Sequence, residues 1–347
     1  MTNQYSLSQL GWNHFFQQQL TLEEWEDLIP ARVVEQQRSE VTLLSTIGSI
    51  TLKTVKAMPP LVVGDWLLID QNYHFYRLLE RSSLFHRKAS GAKIDSQLIA
   101  ANVDTLFIVS SLNQDFNLNR IERYLSLASE TAVEPIIVLT KLDCCNNHSS
   151  YIEQINEIDS MLNVIAINAL DQNSVSQLAP WCCPGKTVAL LGSSGVGKST
   201  LLNTLTGASN QKTNSIREDD SKGRHTTTSR SIHLLSSGGL ILDTPGMREL
   251  QLFDCEQGVE TVFADIADLA SQCRFSDCNH NDEPGCAVRL AIEQGAIDER
   301  RLINYLKLKR EQEFNSASLA EKRAKDREFG RHVRLVMKEK QREKNHS

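Results

Sequence analysis

The run Gly192-Ser193-Ser194-Gly195-Val196-Gly197-Lys198-Ser199 constrains this chain more than any other stretch. It fits G-x-x-x-x-G-K-[ST] without deviation, follows an apolar pentad at 187–191 and precedes a helix-like run at 199–205. Glycines at these spacings let the backbone wrap so that successive N–H groups point at phosphate oxygens. The helix that follows offers the positive end of its dipole. In this reading Lys198 reaches the β- and γ-phosphates, Ser199 sets its hydroxyl on Mg²⁺, and Thr200 completes the phosphate-side set at the helix start.

The sequence around the loop supplies the sheet that such a loop requires. Apolar strands are predicted at 105–109, 135–139, 164–167, 187–191 and 240–242, with a helix at 119–131. Buried strands alternating with helices indicate a mostly parallel, doubly wound α/β layer spanning 98–250. The polar stretch 211–230 has little periodicity and is expected to be irregular.

Three further elements fall at the ends of those strands. Thr140-Lys141-Leu142-Asp143 follows the 135–139 strand and resembles the [N/T]-K-x-D element that reads guanine. A carboxylate at Asp143 can accept from both N1–H and the 2-amino group of guanine, whereas adenine offers no such pair, and an unmet buried hydrogen bond discriminates strongly. The stem of Lys141 can pack over the base. Thr140 stands where Asn is commoner, and its shorter side chain is expected to loosen the loop or to weaken guanine contacts. Asn168-Ala169, after the 164–167 strand, matches the last base-contacting loop. Asp243-Thr244-Pro245-Gly246 matches D-x-x-G, with Asp243 toward Mg²⁺ and the Gly246 N–H toward the γ-phosphate. Gly223-Arg224-His225-Thr226-Thr227-Thr228 lies between; one of its threonines closes on Mg²⁺, with Thr227 favoured although its neighbours fit equally.

The order of these elements is unusual, because the base-reading loops at 140 and 168 precede the phosphate loop at 192. That is a circular permutation, which a sheet tolerates where chain ends lie at the surface. After D-x-x-G comes Met247, where Ras-type enzymes carry a water-orienting Gln. Methionine cannot orient water, so His225, beside the threonines, is assigned to catalysis with Thr227 and Lys198. The D-x-x-G segment also runs directly into the C-terminal part of the chain, so γ-phosphate loss is expected to pull on it.

Cys273-x4-Cys278-x-His280-x5-Cys286 supplies three thiolates and an imidazole, the donor set of a closed, structural tetrahedral zinc site. The unit 251–347 is read as a helical zinc-binding domain with a basic tail. From Arg300 onward the chain carries 15 Lys+Arg against 7 Asp+Glu, a net +8, although the whole chain has a net charge of −6. A basic tail on an acidic body argues for a localised contact with a polyanion. At the other end, 1–30 reads as an N-terminal extension, with a short helix capped by Thr21 and Glu24. Residues 31–90 hold five short strands, at 32–34, 41–45, 49–55, 66–69 and 75–79, which suggest a small barrel of the OB type. Trp66, Tyr73, Phe75 and Tyr76 either stack bases or fill its core. A polar linker is expected at 87–97. No apolar run approaches the roughly 20 residues that span a bilayer, the N-terminus lacks a signal-peptide layout, and no heptads stand out. The chain is therefore expected to be a cytoplasmic monomer.

Permuted order, GSSGVGKST, GRHTTT, DTPG and the Cys-Cys-His-Cys cluster together resemble the small-ribosomal-subunit-dependent GTPase A family over about residues 31–310. The resemblance implies an N-terminal OB-fold, a central permuted GTPase and a C-terminal zinc domain. It also implies an enzyme that binds the 30S ribosomal subunit and 16S rRNA late in subunit assembly and hydrolyses GTP to GDP with stimulation by the ribosome. Two other readings of the residues remain open: an RNA-binding module for which GTP is only a conformational ligand, and an ATPase, which Asp143 opposes.

Overall fold

A computed structural model describes residues 5–88, 96–207, 230–243 and 255–316. The strands are β1 (Ile29–Gln36), β2 (Glu40–Ser45), β3 (Gly48–Lys53), β4 (Trp66–Ile69), β5 (Phe75–Leu78), β6 (Leu84–Lys88), β7 (Ser96–Ala101), β8 (Thr105–Ser111), β9 (Glu134–Thr140), β10 (Asn163–Ala166), β11 (Thr187–Leu191), β12 (Arg230–Leu234) and β13 (Leu240–Asp243). The helices are α1 (His14–Gln17), α2 (Leu22–Asp27), α3 (Leu118–Glu130), α4 (Ser149–Asn156), α5 (Gln172–Val175), α6 (Lys198–Thr206), α7 (Glu256–Val262), α8 (Ala264–Ala270), α9 (Ala287–Glu293) and α10 (Glu299–Ser316).

The central strands pair in parallel in the order β10-β9-β8-β11-β13. Every residue of β8 is buried, as expected of a parallel sheet covered on both faces. Alternate side chains feed two cores. Leu106, Ile108, Ile137 and Leu139 face α3 and the C-terminal helices, while Phe107, Val109, Ile136 and Val138 face α6 and the 172–181 segment. The chain runs from β8 outward to β10, returns to β11 and continues to β13. The order therefore reverses between β8 and β11, and ligands of open α/β sheets bind beyond the strand carboxyl ends at such a reversal.

β12 continues this sheet antiparallel to β13 and pairs at its outer edge with β1, through Glu35↔Ser231 and Gln36↔Arg230. The five N-terminal strands form an antiparallel layer ordered β3-β2-β1-β4-β5. Its inner face gathers Val33, Leu43, Leu52, Leu67 and Ile69. The residues read as an N-terminal extension cover its other face: Leu10 and Phe16 pack on Trp66, Leu68 and Leu79. Trp66 is thus core, Phe75 is packed against core, and Tyr73 and Tyr76 are half exposed. The helix expected near Thr21 is α2, with both arms of its capping box formed.

Arg32, fully buried, joins three segments. It donates to the carbonyls of Leu10 (2.5 Å), Asn102 (3.0 Å) and Gly64 (3.4 Å). Burial pulls its guanidinium down to about 10, still charged at neutral pH. The two ends of the stretch expected to be a linker at 87–97 lie in β6 and β7, which pair antiparallel through Arg87↔Gln97 and Lys88↔Ser96; the residues between them lie outside the described residues. Polar composition hid these strand ends, since among their described residues Phe85 and 99–101 are the buried ones.

The C-terminal helices dock on α3 through a polar latch. Glu122 is fully buried and accepts from Arg300 (2.9 and 3.1 Å), Arg301 (2.8 Å) and Asn304 (2.6 Å) of α10. Arg301 also reaches Asp265 (2.9 and 3.0 Å) and the Val262 carbonyl (2.6 Å). Arg123 pairs with Glu311 farther along α10.

Candidate functional site

The carboxyl ends of the parallel strands bring the predicted loops to one edge of the sheet. β11 ends at Leu191 and enters the glycine-rich loop, whose last residues open α6. Gly192 sits where no side chain fits, because a Cβ there would stand 2.2 Å from the Val109 carbonyl oxygen. Gly197 adopts φ +97° and hands the chain to the helix at Lys198. Such positive φ values cost little only for glycine. The Lys198 side chain is largely buried and folds back over the loop, its ammonium donating to the carbonyls of Gly192 (2.6 Å) and Ser193. Ser194, Gly195 and Ser199 are exposed at the same edge, Thr200 is half-buried, and Val196 anchors the loop in the core.

β9 ends at Thr140, and that side chain locks two loops together. It is fully buried, with its hydroxyl 2.5 Å from the Val196 carbonyl oxygen and 3.2 Å from that of Ser110. The expectation that threonine loosens this loop is not met, since the hydroxyl is short enough to reach a backbone that passes directly above it. Lys141 then turns left-handed (φ +62°) and leads into a single 3₁₀ turn, Leu142–Cys144, which presents Asp143 to solvent. The Leu142 N–H donates to the Ile167 carbonyl at 3.2 Å, tying this loop to the one after β10. That second loop is pinned as well. The Asn168 N–H donates to the Ser174 hydroxyl (2.9 Å), and the Thr204 hydroxyl of α6 donates to the Ala169 carbonyl (2.7 Å).

Cys144 is a contact that sequence reading missed. Its thiol donates to the Asp143 carboxylate at 3.4 Å, and that bond, with the carboxylate's charge, holds the thiol above its ordinary pKa. Adjacency alone placed it there, with no motif to signal it. Asp243 closes β13 at the same sheet edge, paired across to Ser231. His225, Thr227 and Gly246 lie outside the described residues.

The second centre lies between α8 and α9. One ligand atom from each of Cys273, Cys278, His280 and Cys286 falls within 4.8 Å of the others. Cys273 Sγ stands 3.9 Å from Cys286 Sγ and 3.6 Å from His280 Nδ1, and Cys286 Sγ is 3.5 Å from that nitrogen. The chain is bent to achieve this. His280 is left-handed at φ +57°, and the Glu283 carboxylate accepts from the N–H groups of Asn279 (2.9 Å) and Asn281 (2.8 Å). Arg289 Nε bonds the His280 carbonyl at 2.8 Å. Cys286 is also the N-cap of α9, its sulfur accepting from the Arg289 N–H. Burial pushes Cys278 up to about 11 and lowers His280, so the imidazole is neutral near pH 7. The four side chains can hold one metal ion.

Comparison with known proteins agrees with this geometry. The family model described as RsgA GTPase matches residues 78–253. A protein named small ribosomal subunit biogenesis GTPase RsgA 2, from Vibrio parahaemolyticus, is 56 % identical over 96 % of this chain and 93 % of its own length. A Mesorhizobium japonicum protein named small ribosomal subunit biogenesis GTPase RsgA is 45 % identical over 90 % of this chain and 91 % of its own. Among solved structures, YjeQ from Thermotoga maritima aligns with a TM-score of 0.59 at 26 % identity, covering 81 % of this chain and 97 % of that one. YloQ, a circularly permuted GTPase, shares the fold with a TM-score of 0.57, covering 84 % of this chain and 96 % of that one. The chain belongs to the RsgA family of circularly permuted GTPases, and it is a hydrolase acting on GTP.

Proposed function

We propose that this GTPase works in biogenesis of the small ribosomal subunit, binding the 30S particle and its 16S rRNA late in maturation and hydrolysing GTP faster when bound. The observation that carries this reading is the near full-length likeness, at 56 % and 45 % identity, to proteins named for small-subunit biogenesis. The basic C-terminal segment fits the role, since cations on one segment neutralise RNA phosphates and release counterions. The N-terminal strands, read as an OB-like barrel, offer a surface of the kind that takes nucleic acid, and the half-exposed Tyr73 and Tyr76 are available for stacking.

In the nucleotide site, Gly192 to Thr200 hold the phosphates and Lys198 leaves the loop carbonyls for the β- and γ-oxygens. The Thr140 to Asp143 loop reads guanine, with Asp143 as acceptor. Ser199, Asp243 and Thr227 form the magnesium set, and magnesium, when bound, draws charge from the phosphate oxygens. His225 orients the attacking water, since Met247 cannot, and the Gly246 N–H senses the γ-phosphate.

Zinc is the ion proposed for the cysteine–histidine centre. Ligands at the usual zinc–sulfur (about 2.3 Å) and zinc–nitrogen (about 2.0 Å) distances in a tetrahedron stand about 3.5 to 3.8 Å apart. The separations of 3.5, 3.6 and 3.9 Å fit that figure. Four protein donors leave no open position, so the ion holds the fold together. Among the described residues no helix is long and apolar enough to cross a membrane; the protein is proposed to act as a monomer in the cytoplasm. The units are taken as 1–30, 31–90, 98–250 and 251–347.

Co-sedimentation with purified small subunits tests the reading. The protein should pellet with 30S particles when loaded with a non-hydrolysable GTP analogue and less with GDP, in a manner that falls steeply with salt. Failure to pellet in either state would remove the ribosomal assignment.

A further inference from the structure

Arg120 carries a charge where a helix does not favour one. It is the third residue of α3, whose first turn contains no acidic residue, and a cation at a helix N-terminus opposes the dipole. Asp115, just before the helix, offsets this: its two carboxylate oxygens lie 3.1 and 3.0 Å from Arg120 Nη1. The same Nη1 donates to the Ser193 hydroxyl in the phosphate loop. One turn farther along α3, the buried phenol of Tyr124 faces the same serine, whose hydroxyl partly offsets the upward pull that burial exerts on the phenol's pKa. Ser193 is therefore held by its side chain from α3, while its carbonyl accepts from the Lys198 ammonium.

We infer that Arg120 is a positioning residue for GTP hydrolysis. Braced by Asp115 it fixes Ser193, and Ser193 sets the start of the phosphate loop and the resting place of Lys198. Hydrolysis depends on Lys198 meeting the γ-phosphate as charge develops there, and a misplacement of about 1 Å can cost about 10²-fold in rate. Binding of GDP asks less of that geometry. Loss of the Arg120 grip should thus lower kcat far more than it weakens GDP. α3 also carries Glu122 and Arg123, which hold α10, so the helix that grips the phosphate loop also carries the C-terminal unit.

The inference rests on the phosphate-loop roles proposed above, and the test separates the two. GTP turnover and GDP affinity are measured for the full chain and for Arg120→Ala, Arg120→Lys, Ser193→Ala, the Arg120→Ala/Ser193→Ala double variant and Lys198→Ala. The expected result is a kcat about tenfold or more below wild type in Arg120→Ala and in Ser193→Ala, with GDP affinity within about threefold. The double variant should be no slower than the slower single, since both act through one contact. Arg120→Lys should recover part of the rate, because an ammonium can still bridge Asp115 and Ser193. Wild-type kcat in Arg120→Ala, or losses that multiply in the double variant, would overturn the inference. If Arg120→Ala fails to fold, Ser193→Ala, which removes only a hydroxyl, decides the matter by the same readout. Full turnover in Lys198→Ala would strike the phosphate-loop assignment itself.

Discussion

The Thr140 hydroxyl donates to the Val196 carbonyl oxygen at 2.5 Å, so the loop assigned to guanine and the loop assigned to phosphate share one buried contact. Thr140 is the final residue of β9 and Val196 lies inside the phosphate loop, 56 positions later. In this permuted chain both loops fall in the middle of the 98–250 unit, on separate strands, and this bond aligns them before any nucleotide arrives.

Thr140→Val keeps the shape and deletes the bond. The Val196 carbonyl is then left without this donor, at a cost of about 1–3 kcal/mol for a buried polar group. Part of that cost falls on the nucleotide-ready arrangement, so affinity for GDP and GTP should drop about threefold to tenfold, read by titration with a fluorescent nucleotide. Unchanged affinity would mean that the two loops hold their places independently.

Much of this arrangement was legible in the sequence. The five parallel strands, the phosphate loop and the four metal donors announce themselves through apolar runs and spacing, which are local signals. What stayed hidden depends on distant partners. β12 begins at Arg230, at the end of a polar segment, and becomes a strand because β13 and β1 flank it. The N-terminal segment reads as an appendage, yet Leu10 and Phe16 fill the outer face of β4. Glu122 looks like a solvated helix residue until Arg300 and Arg301 arrive from 178 and 179 positions away.

Glu122 gives the sharpest stability prediction. Glu122→Ala leaves the guanidiniums of Arg300 and Arg301 without their shared carboxylate, and breaking a buried pair on one side costs about 3–5 kcal/mol. Urea unfolding should show that loss, and limited proteolysis should cut α10 sooner than in wild type. Replacement without a change in either would show that the latch contributes nothing net.

The contact between α2 and β5 predicts a pH effect. Hydrogen bonds from Arg77 and then from the Thr21 N–H hold the Glu24 carboxyl near 2, against an ordinary 4.5. A depressed carboxyl contributes stability above its unfolded pKa and loses it as pH falls through the folded value. Wild type should therefore lose stability between about pH 4.5 and 2, whereas Glu24→Gln should be less stable at neutral pH and flatter across that window. Parallel profiles for the two proteins would contradict this.

Metal removal addresses the second centre. Cys286 both caps α9 and belongs to the donor set, so a strong chelator should unravel the 273–293 region and release one zinc per chain by elemental analysis. Helical circular dichroism should fall while guanine nucleotide binding persists. Full helicity after complete metal loss would argue that hydrogen bonds alone hold the knuckle.

A ribosome-directed GTPase is recognised by its turnover: GTP hydrolysis by the purified protein, measured alone and with 30S subunits, at low and high salt. Turnover should be slow alone and strongly stimulated by 30S particles, the stimulation weakening as salt rises. Tight GTP binding with no stimulation at either salt would contradict it and point to an RNA binder for which GTP is only a ligand.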